Sequence, residues 1–264
     1  MKSFSSIIIS VAALATFVTG LTANADVPQV QVKVILSSVS GDSVVLTKDN
    51  PSADTELTAP LNATFMASLI TDDGKDYVLF PQWTVKRIYR DGDTDRTENY
   101  LKRQEAVTEY EFTDDGRFEI NFAWSYREKD SVETIPGADV ATMNFTIDDS
   151  DITLYNAFSP NDDGINDVYR IGVKSIVSIK IAIFNRWGQT IKTIQGKMED
   201  ILPLVNAEPD NNGGYALEIW DGRFNGSIVN DGVYFMNVQA TGAGGKKYDK
   251  RVDINVLTGL GVQK

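Results

Sequence analysis

Short runs of alternating polar and apolar residues, with little helical periodicity between them, constrain this chain more than any other feature. Gln29-Val-Gln-Val-Lys-Val-Ile35 is the cleanest case: an extended backbone puts its valines on one side and its polar residues on the other. Less strict runs recur at 63–70, 77–88, 106–112, 117–126 and 141–147. Gly41-Asp42, Asp72-Asp73-Gly74, Asp91-Gly92 and Asp114-Asp115-Gly116 supply turn signals. Strands at this spacing without intervening helices predict a β-sandwich. Trp83, mid-run in Pro81-Gln-Trp-Thr-Val85, is its expected central buried ring. A second set begins near Asp151, at 168–171, 176–184, 190–194, 216–220, 233–241 and 248–257, with Ile179, Ile181 and Ile183 facing one core. Between the third and fourth of these lies 195–215, rich in Pro, Asn, Gly and acids. It reads as a long surface excursion with one helical turn at 198–202. The expected fold class is therefore all-β, two sandwich domains in tandem at 26–150 and 151–264, joined by a link without Gly or Pro that favours limited motion.

The N-terminus reads as an address. Lys2, the apolar run 7–18 and Ala23-Asn24-Ala25 before Asp26 form a secretory signal peptide, 1–25, with the cut after Ala25. The run is shorter than the ~20 residues a membrane span requires. The chain has no Cys, so it has no lipoprotein acceptor and no disulfides, and each domain must be held by its own core. It also has no His, which removes His-based triads, dyads, zinc sites and imidazole pH switching. A formal net charge of −12 argues against nucleic acid and anionic lipid as partners.

The acidic turns Asp72-Asp73, Asp91/Asp93/Asp95 and Asp114-Asp115 invite a carboxylate-pair enzyme. Such chemistry needs two carboxylates about 5–10 Å apart across a cleft, whereas hairpin tips are charged because they are solvated. No nucleophile elbow, HExxH or P-loop occurs. The chain is expected not to be an enzyme; a surface glycan-acting enzyme is the remote alternative.

Tyr110-Glu-Phe-Thr-Asp-Asp-Gly-Arg-Phe-Glu-Ile-Asn-Phe122 resembles the Y-x-F…G-x-Y-x-V pattern of PKD and other immunoglobulin-like domains. Trp83-Thr-Val lacks the Gly-Asp-Gly that PKD domains carry next, so the resemblance is to the immunoglobulin-like class. The C-terminal half carries five blocks in order: Asn156-Ala-Phe-Ser-Pro-Asn-Asp-Asp-Gly-Ile-Asn-Asp-Val168, Ile183-Phe-Asn-Arg-Trp-Gly-Gln189, Trp220-Asp-Gly222, Asp231-Gly-Val-Tyr-Phe235 and a last strand near 252–257. Together they resemble the type-B, gliding motility-associated C-terminal domain of Bacteroidota type IX secretion substrates. The motif residues are Asn156, Phe158, Ser159, Pro160, Asn161, Asp163, Gly164, Asn166, Asp167, Asn185, Arg186, Trp187, Gly188, Trp220, Asp221, Gly222, Asp231, Gly232 and Tyr234. The family opens on Asn-Gly-Asp-Gly where this chain has Asn161-Asp-Asp-Gly164. It also lacks the 195–215 insertion and the tail 258–264.

Elementary chemistry gives these residues structural work. Gly164 and Gly222 belong where φ is positive. Asp163, Asn166 and Asp167 can accept backbone N–H bonds in an Asx-type turn. Trp187 and Trp220 are expected to be core or half-buried rings. The alternative for the opening loop is a calcium site at Asn161, Asp163 and Asp167. Set on the EF-loop template with Gly164 at position 6, Ser159 falls at position 1 and Arg170 at position 12, where a bidentate Glu belongs, so the turn reading takes precedence.

The resemblance implies a route: periplasm in transit, then the cell surface, the outer membrane or the medium. The domain would be read by the outer-membrane type IX translocon and a partner outer-membrane barrel, with exposed sheet edges and the 159–167 loop as candidate contacts. The first domain would bind an envelope glycan or another surface protein. The alternative is an accessory or signalling component of the secretion machine, acting through its own C-terminal domain.

Overall fold

A computed structural model describes residues 28–259, apart from 40, 42, 55, 56, 92, 211 and 212. The expected signal peptide and the end of the tail lie outside the described residues. The first half comprises β1 (Gln29–Ser38), β2 (Ser43–Thr47), β3 (Leu61–Ile70), β4 (Tyr77–Asp91), β5 (Thr94–Arg103), β6 (Val107–Phe112), β7 (Gly116–Glu128), β8 (Ile135–Pro136) and β9 (Ala141–Ile147). The second comprises β10 (Asp151–Leu154), β11 (Ala157–Phe158), β12 (Tyr169–Lys174), β13 (Ile176–Phe184), β14 (Thr190–Lys197), helix α1 (Met198–Ile201), β15 (Ala207–Pro209), β16 (Tyr215–Trp220), β17 (Arg223–Phe224), β18 (Ser227–Ile228), β19 (Gly232–Gly242) and β20 (Lys247–Val256). The fold is all-β, as the alternation requires.

Both halves are wired alike. In the first, one sheet runs β2-β1-β3-β6 and the other β5-β4-β7, with β8 and β9 both on β7. In the second, one sheet runs β10-β12-β16-β15 and the other β11-β20-β19-β13-β14. The correspondence extends to the parallel contact in each. The bridges Ser52↔Asn144 and Leu57↔Ile147 run parallel to β9, and β11 runs parallel to β20. The named strands otherwise pair antiparallel.

Alternation sets the inner faces. On β7, Phe118, Ile120, Phe122, Trp124 and Tyr126 are all buried, while the residues between them are not. Trp83 is buried at the centre, its ring 4.5 Å from Phe122 and 5.3 Å from Phe65. Ile179, Ile181 and Ile183 of β13 point into a second cluster with Ile171, Leu217, Met236, Val238 and Ile254. β5 escapes the sequence pattern because it is an edge strand, and only its Leu101 is buried. The 195–215 stretch is not a surface excursion. Its α1 buries Met198 and Ile201 in the second cluster, and β15 extends a sheet by pairing with β16.

The two clusters meet at a closed seam. Ala243, in the turn between β19 and β20, is buried in the first half's cluster. The Gly244 N–H beside it donates to Thr113 O at 3.2 Å. Ser175 is buried at a positive φ of 48°, its Oγ accepting the Ala59 N–H at 3.2 Å and its carbonyl accepting the Ala243 N–H at 2.8 Å. The link is pinned as well. Lys174 Nζ meets Asp148 Oδ2 at 2.6 Å, and the Ser150 carbonyl accepts the Tyr248 hydroxyl and, at 3.3 Å, Lys246 Nζ. A void of ≈ 10 Å³ remains between Ala59, Pro60, Ser175, Met198 and Tyr215, about the limit for one water.

Candidate functional site

The register of β13 with β19 separates two ends of the second sandwich. Ile176 opposes Gly242 at the seam, and Phe184 opposes Phe235 at the other end, roughly 26 Å away at about 3.3 Å per residue. All the motif blocks gather at that far end. Phe158 closes β11, and its ring lies 5.7 Å from Tyr169 and 5.4 Å from Trp220; Trp220 in turn lies 5.1 Å from Tyr234. This row of rings anchors three loops. Trp220 is buried, and its Nε1 donates to Arg223 O at 2.9 Å. Gly222 has φ 71°, and a Cβ there would stand 2.6 Å from Pro160 Cγ, so only glycine lets the Trp-Asp-Gly turn lie on the opening block. Asp221 Oδ1 accepts the Arg223 N–H, and Arg223 reaches back to Asp162 at 3.3 Å.

The loop from Ser159 is organised by Asp167. Its Oδ1 accepts the N–H groups of Asn161 and Asp162 at 3.0 and 2.8 Å, and its Oδ2 accepts that of Gly164 at 2.7 Å. Asp163 accepts the Ile165 N–H at 2.8 Å and the Asn161 side-chain amide at 2.9 Å. Asn166 contributes through its backbone instead: it sits at φ 56°, and its carbonyl accepts the Ser159 N–H. Gly164 has the expected positive φ, 84°. The structure thus brings Asn161, Asp163 and Asp167 together, with their oxygens facing N–H donors. Among the described residues, no group of three or more Asp, Glu, His or Cys side chains is placed to share one metal ion.

Desolvation opposes ionisation of Asp167, but the backbone donors of Gly164, Asn161, Asp162 and Asp163 outweigh it and hold the carboxyl below its ordinary 3.8. A depressed folded-state pKa means that these bonds are in place above 3.8 and are lost only as pH falls through the lower folded value. The Gly164 amide resonance is therefore expected to titrate with a midpoint below 3.8 and to stay flat in Asp167→Asn. A midpoint at or above 3.8 would count against this cap. Asp231 is held low in the same direction by the Thr258 hydroxyl and N–H, at 2.5 and 2.7 Å, which ties the last strand to the fourth block.

The second block departs from expectation. Asn185 Oδ1 accepts the N–H groups of Trp187 and Gln189, closing the turn between β13 and β14. That geometry carries Trp187 outward, where it is 75 % exposed with the Arg186 guanidinium 4.2 Å over its ring. Trp187 is not a core ring; Trp220 is. Gly188 and Gly232 both have positive φ in open space, and Tyr234 donates to Asn230 O at 3.2 Å. Asn156 works through its carbonyl, which accepts the N–H and the side-chain amide of Asn255.

Residues 152–254 match the family model of the CHU_C Type IX secretion signal domain. The matched stretch takes in the second hydrophobic cluster except Val256, together with the far-end loops; the first half lies outside the match. A domain of this kind implies export to the cell surface or the medium through the type IX machinery. No curated protein matches the chain. Among solved structures, a tetra-tandem repeat in the extending region of a large adhesion protein aligns at 11% identity with a TM-score of 0.25, covering 88% of this chain and 68% of that one. A Corynebacterium diphtheriae protein described as membrane anchored aligns at 10% identity with a TM-score of 0.22, covering 90% and 60%. Scores this low do not establish a shared fold over the whole chain. Among the described residues, no helix is long and apolar enough to cross a membrane.

The acidic turns of the first half are engaged locally. Asp73 accepts the Tyr77 hydroxyl at 2.5 Å, Asp91 pairs with Arg96, Asp114 accepts the Tyr100 hydroxyl, and Asp115 pairs with Arg87 at 2.6 Å. The seam, on which Thr113 supplies a carbonyl, had no sequence signal beyond the short link. The Ala243-Gly-Gly turn reads as an ordinary hairpin until its burial is known.

Proposed function

We propose that the chain is a non-enzymatic exported surface protein whose signal domain, of the type-B, gliding motility-associated kind, is read in folded form by the type IX translocon and an outer-membrane barrel. The observation that carries this reading is the convergence of the matched blocks on one end of the sandwich, away from the seam. A signal displayed there stays accessible while the rest of the chain is folded. The first half, 26–150, we read as an immunoglobulin-like domain that binds an envelope glycan or a surface protein. Its support is the wiring described above, with two sheets and a parallel contact on the last strand. The acidic turns, each engaged locally, favour the non-enzymatic reading.

The test is deletion of 151–264 in a strain with a functional type IX system. The remainder is expected to accumulate in the periplasm, and its appearance at the surface would refute the secretion reading. A second reading, an accessory of the machine itself, draws on the seam: a domain whose turn completes its neighbour's core is not a detachable label. It requires that loss of this chain lowers the surface level of other type IX substrates; unchanged levels would remove it.

A further inference from the structure

The outer face of the β11-β20-β19-β13-β14 sheet changes character along its length. Toward the seam it is concave and edged by long polar side chains, a hollow of ≈ 460 Å³ lined by Lys180, Gln195, Gln239, Lys247, Ala240 and Tyr248 among others. Toward the far end it becomes apolar. Phe184 and Phe235 are directly paired across β13 and β19, so their side chains share that face. Val233 lies two residues along β19 on the same side, and Leu257 follows β20 in step with Asp253 and Asn255. Phe235, Val233 and Leu257 are all exposed, and Trp187 stands at the tip of the hairpin that continues β13. Solvent-facing aromatic and aliphatic side chains gathered this way mark interaction surfaces, and Trp and Arg are among the residue types most enriched where binding energy concentrates.

We propose that this patch, Trp187, Phe184, Phe235, Val233 and Leu257, is the surface by which the signal domain docks on a component of the export apparatus that presents an apolar area edged by carboxylates. The proposal rests on the secretion reading above and gives it an address. Two observations select this occupant. The patch is continuous with the matched blocks that hold Arg186, Trp187 and Tyr234, and a second copy seated there would hide them from whatever reads the signal. The cations of the face suit an acidic rim as well: Arg186 stands at the tip of the patch, Arg251 lies two residues along β20 from the Asp253 that opposes Phe235, and toward the seam Lys180 and Lys247 outnumber Asp249.

The experiment uses the full chain, expressed where the type IX system is active. Trp187→Ala with Phe235→Ser is expected to cut the exported fraction at least tenfold while leaving the thermal midpoint of the purified protein unchanged, because both side chains are solvent-facing. A photo-crosslinking residue at 187 is expected to capture a component of the export apparatus, identified by mass spectrometry, and one at 132, on the first half, is not. Normal export of the double variant, in a strain that retains the 151–264 deletion product in the periplasm, would overturn the patch and leave the secretion reading standing. Binding of the purified protein to phosphatidylethanolamine/phosphatidylglycerol vesicles through Trp187, or a dimer in sedimentation that Trp187→Ala dissolves, would overturn it in favour of lipid or a second copy.

Discussion

Replacing Trp220 with alanine is expected to lower the unfolding free energy by about 3–5 kcal/mol, while the same replacement at Trp187 leaves it within about 0.5 kcal/mol. Both tryptophans belong to matched blocks, and only their surroundings separate them. Trp220 is 1% exposed; its ring joins Phe158 to Tyr234, and its Nε1–H is satisfied by Arg223 O. Truncation opens a cavity at the centre of the ring row and removes the hydrogen bond to Arg223 O that holds the Trp-Asp-Gly turn. Because the row also anchors the Gly222 turn against Pro160, the far-end loops are expected to loosen with it, and export should fall together with stability. Trp187→Ala should separate the two, losing export alone. Denaturant titration of both variants checks the claim, and a Trp220→Ala protein as stable as the parent would show that the ring row does not hold this end together.

Much of this was legible because the chain alternates wherever one face is buried. β13 matches the expected strand end to end, and the three isoleucines of β13 face one core. β5 was not legible: at an edge, with little burial demanded, a strand can be written almost entirely in polar residues. The 195–215 stretch misled for a different reason. Its Pro, Asn and Gly mark real breaks, but two side chains, Met198 and Ile201, suffice to tuck its helical turn into the core. The opening loop was readable because Asp and Asn around a glycine have few uses, and the turn reading has its counterpart in the N–H donors on the Asp167 oxygens. Trp187 could not be placed from its identity. Burial is the default for tryptophan, and its exposure follows from two backbone bonds to Asn185 that no composition rule reports. Pairing across the seam left no trace either, since alanine and glycine are equally at home in an exposed turn.

That seam gives the second large effect. Ala243→Asp is expected to destabilise the protein by about 3–5 kcal/mol and to split one cooperative unfolding transition into two. Ala243 is 1% exposed inside the first half's cluster although it belongs to the turn between β19 and β20. A carboxylate there would be buried among apolar side chains, and Arg87, the guanidinium beside this turn, is already paired with Asp115 and Glu98. Either the pocket opens or the turn withdraws. Withdrawal takes with it the Gly244-to-Thr113 bond, and then the Ser175 hydroxyl that caps the Ala59 N–H. Each half keeps its own sheets, so the damage is to the coupling between them, and calorimetry should resolve the halves as separate transitions. Val140→Asp, at an exposed site on the first half, should leave a single transition. If Ala243→Asp also unfolds in one step at the parent's midpoint, the Ala243 turn does not couple the halves, which are then joined through their link and the contacts that pin it. A signal domain so joined could be moved to another passenger without loss, whereas one that shares a core with its neighbour presents its far end from a fixed base.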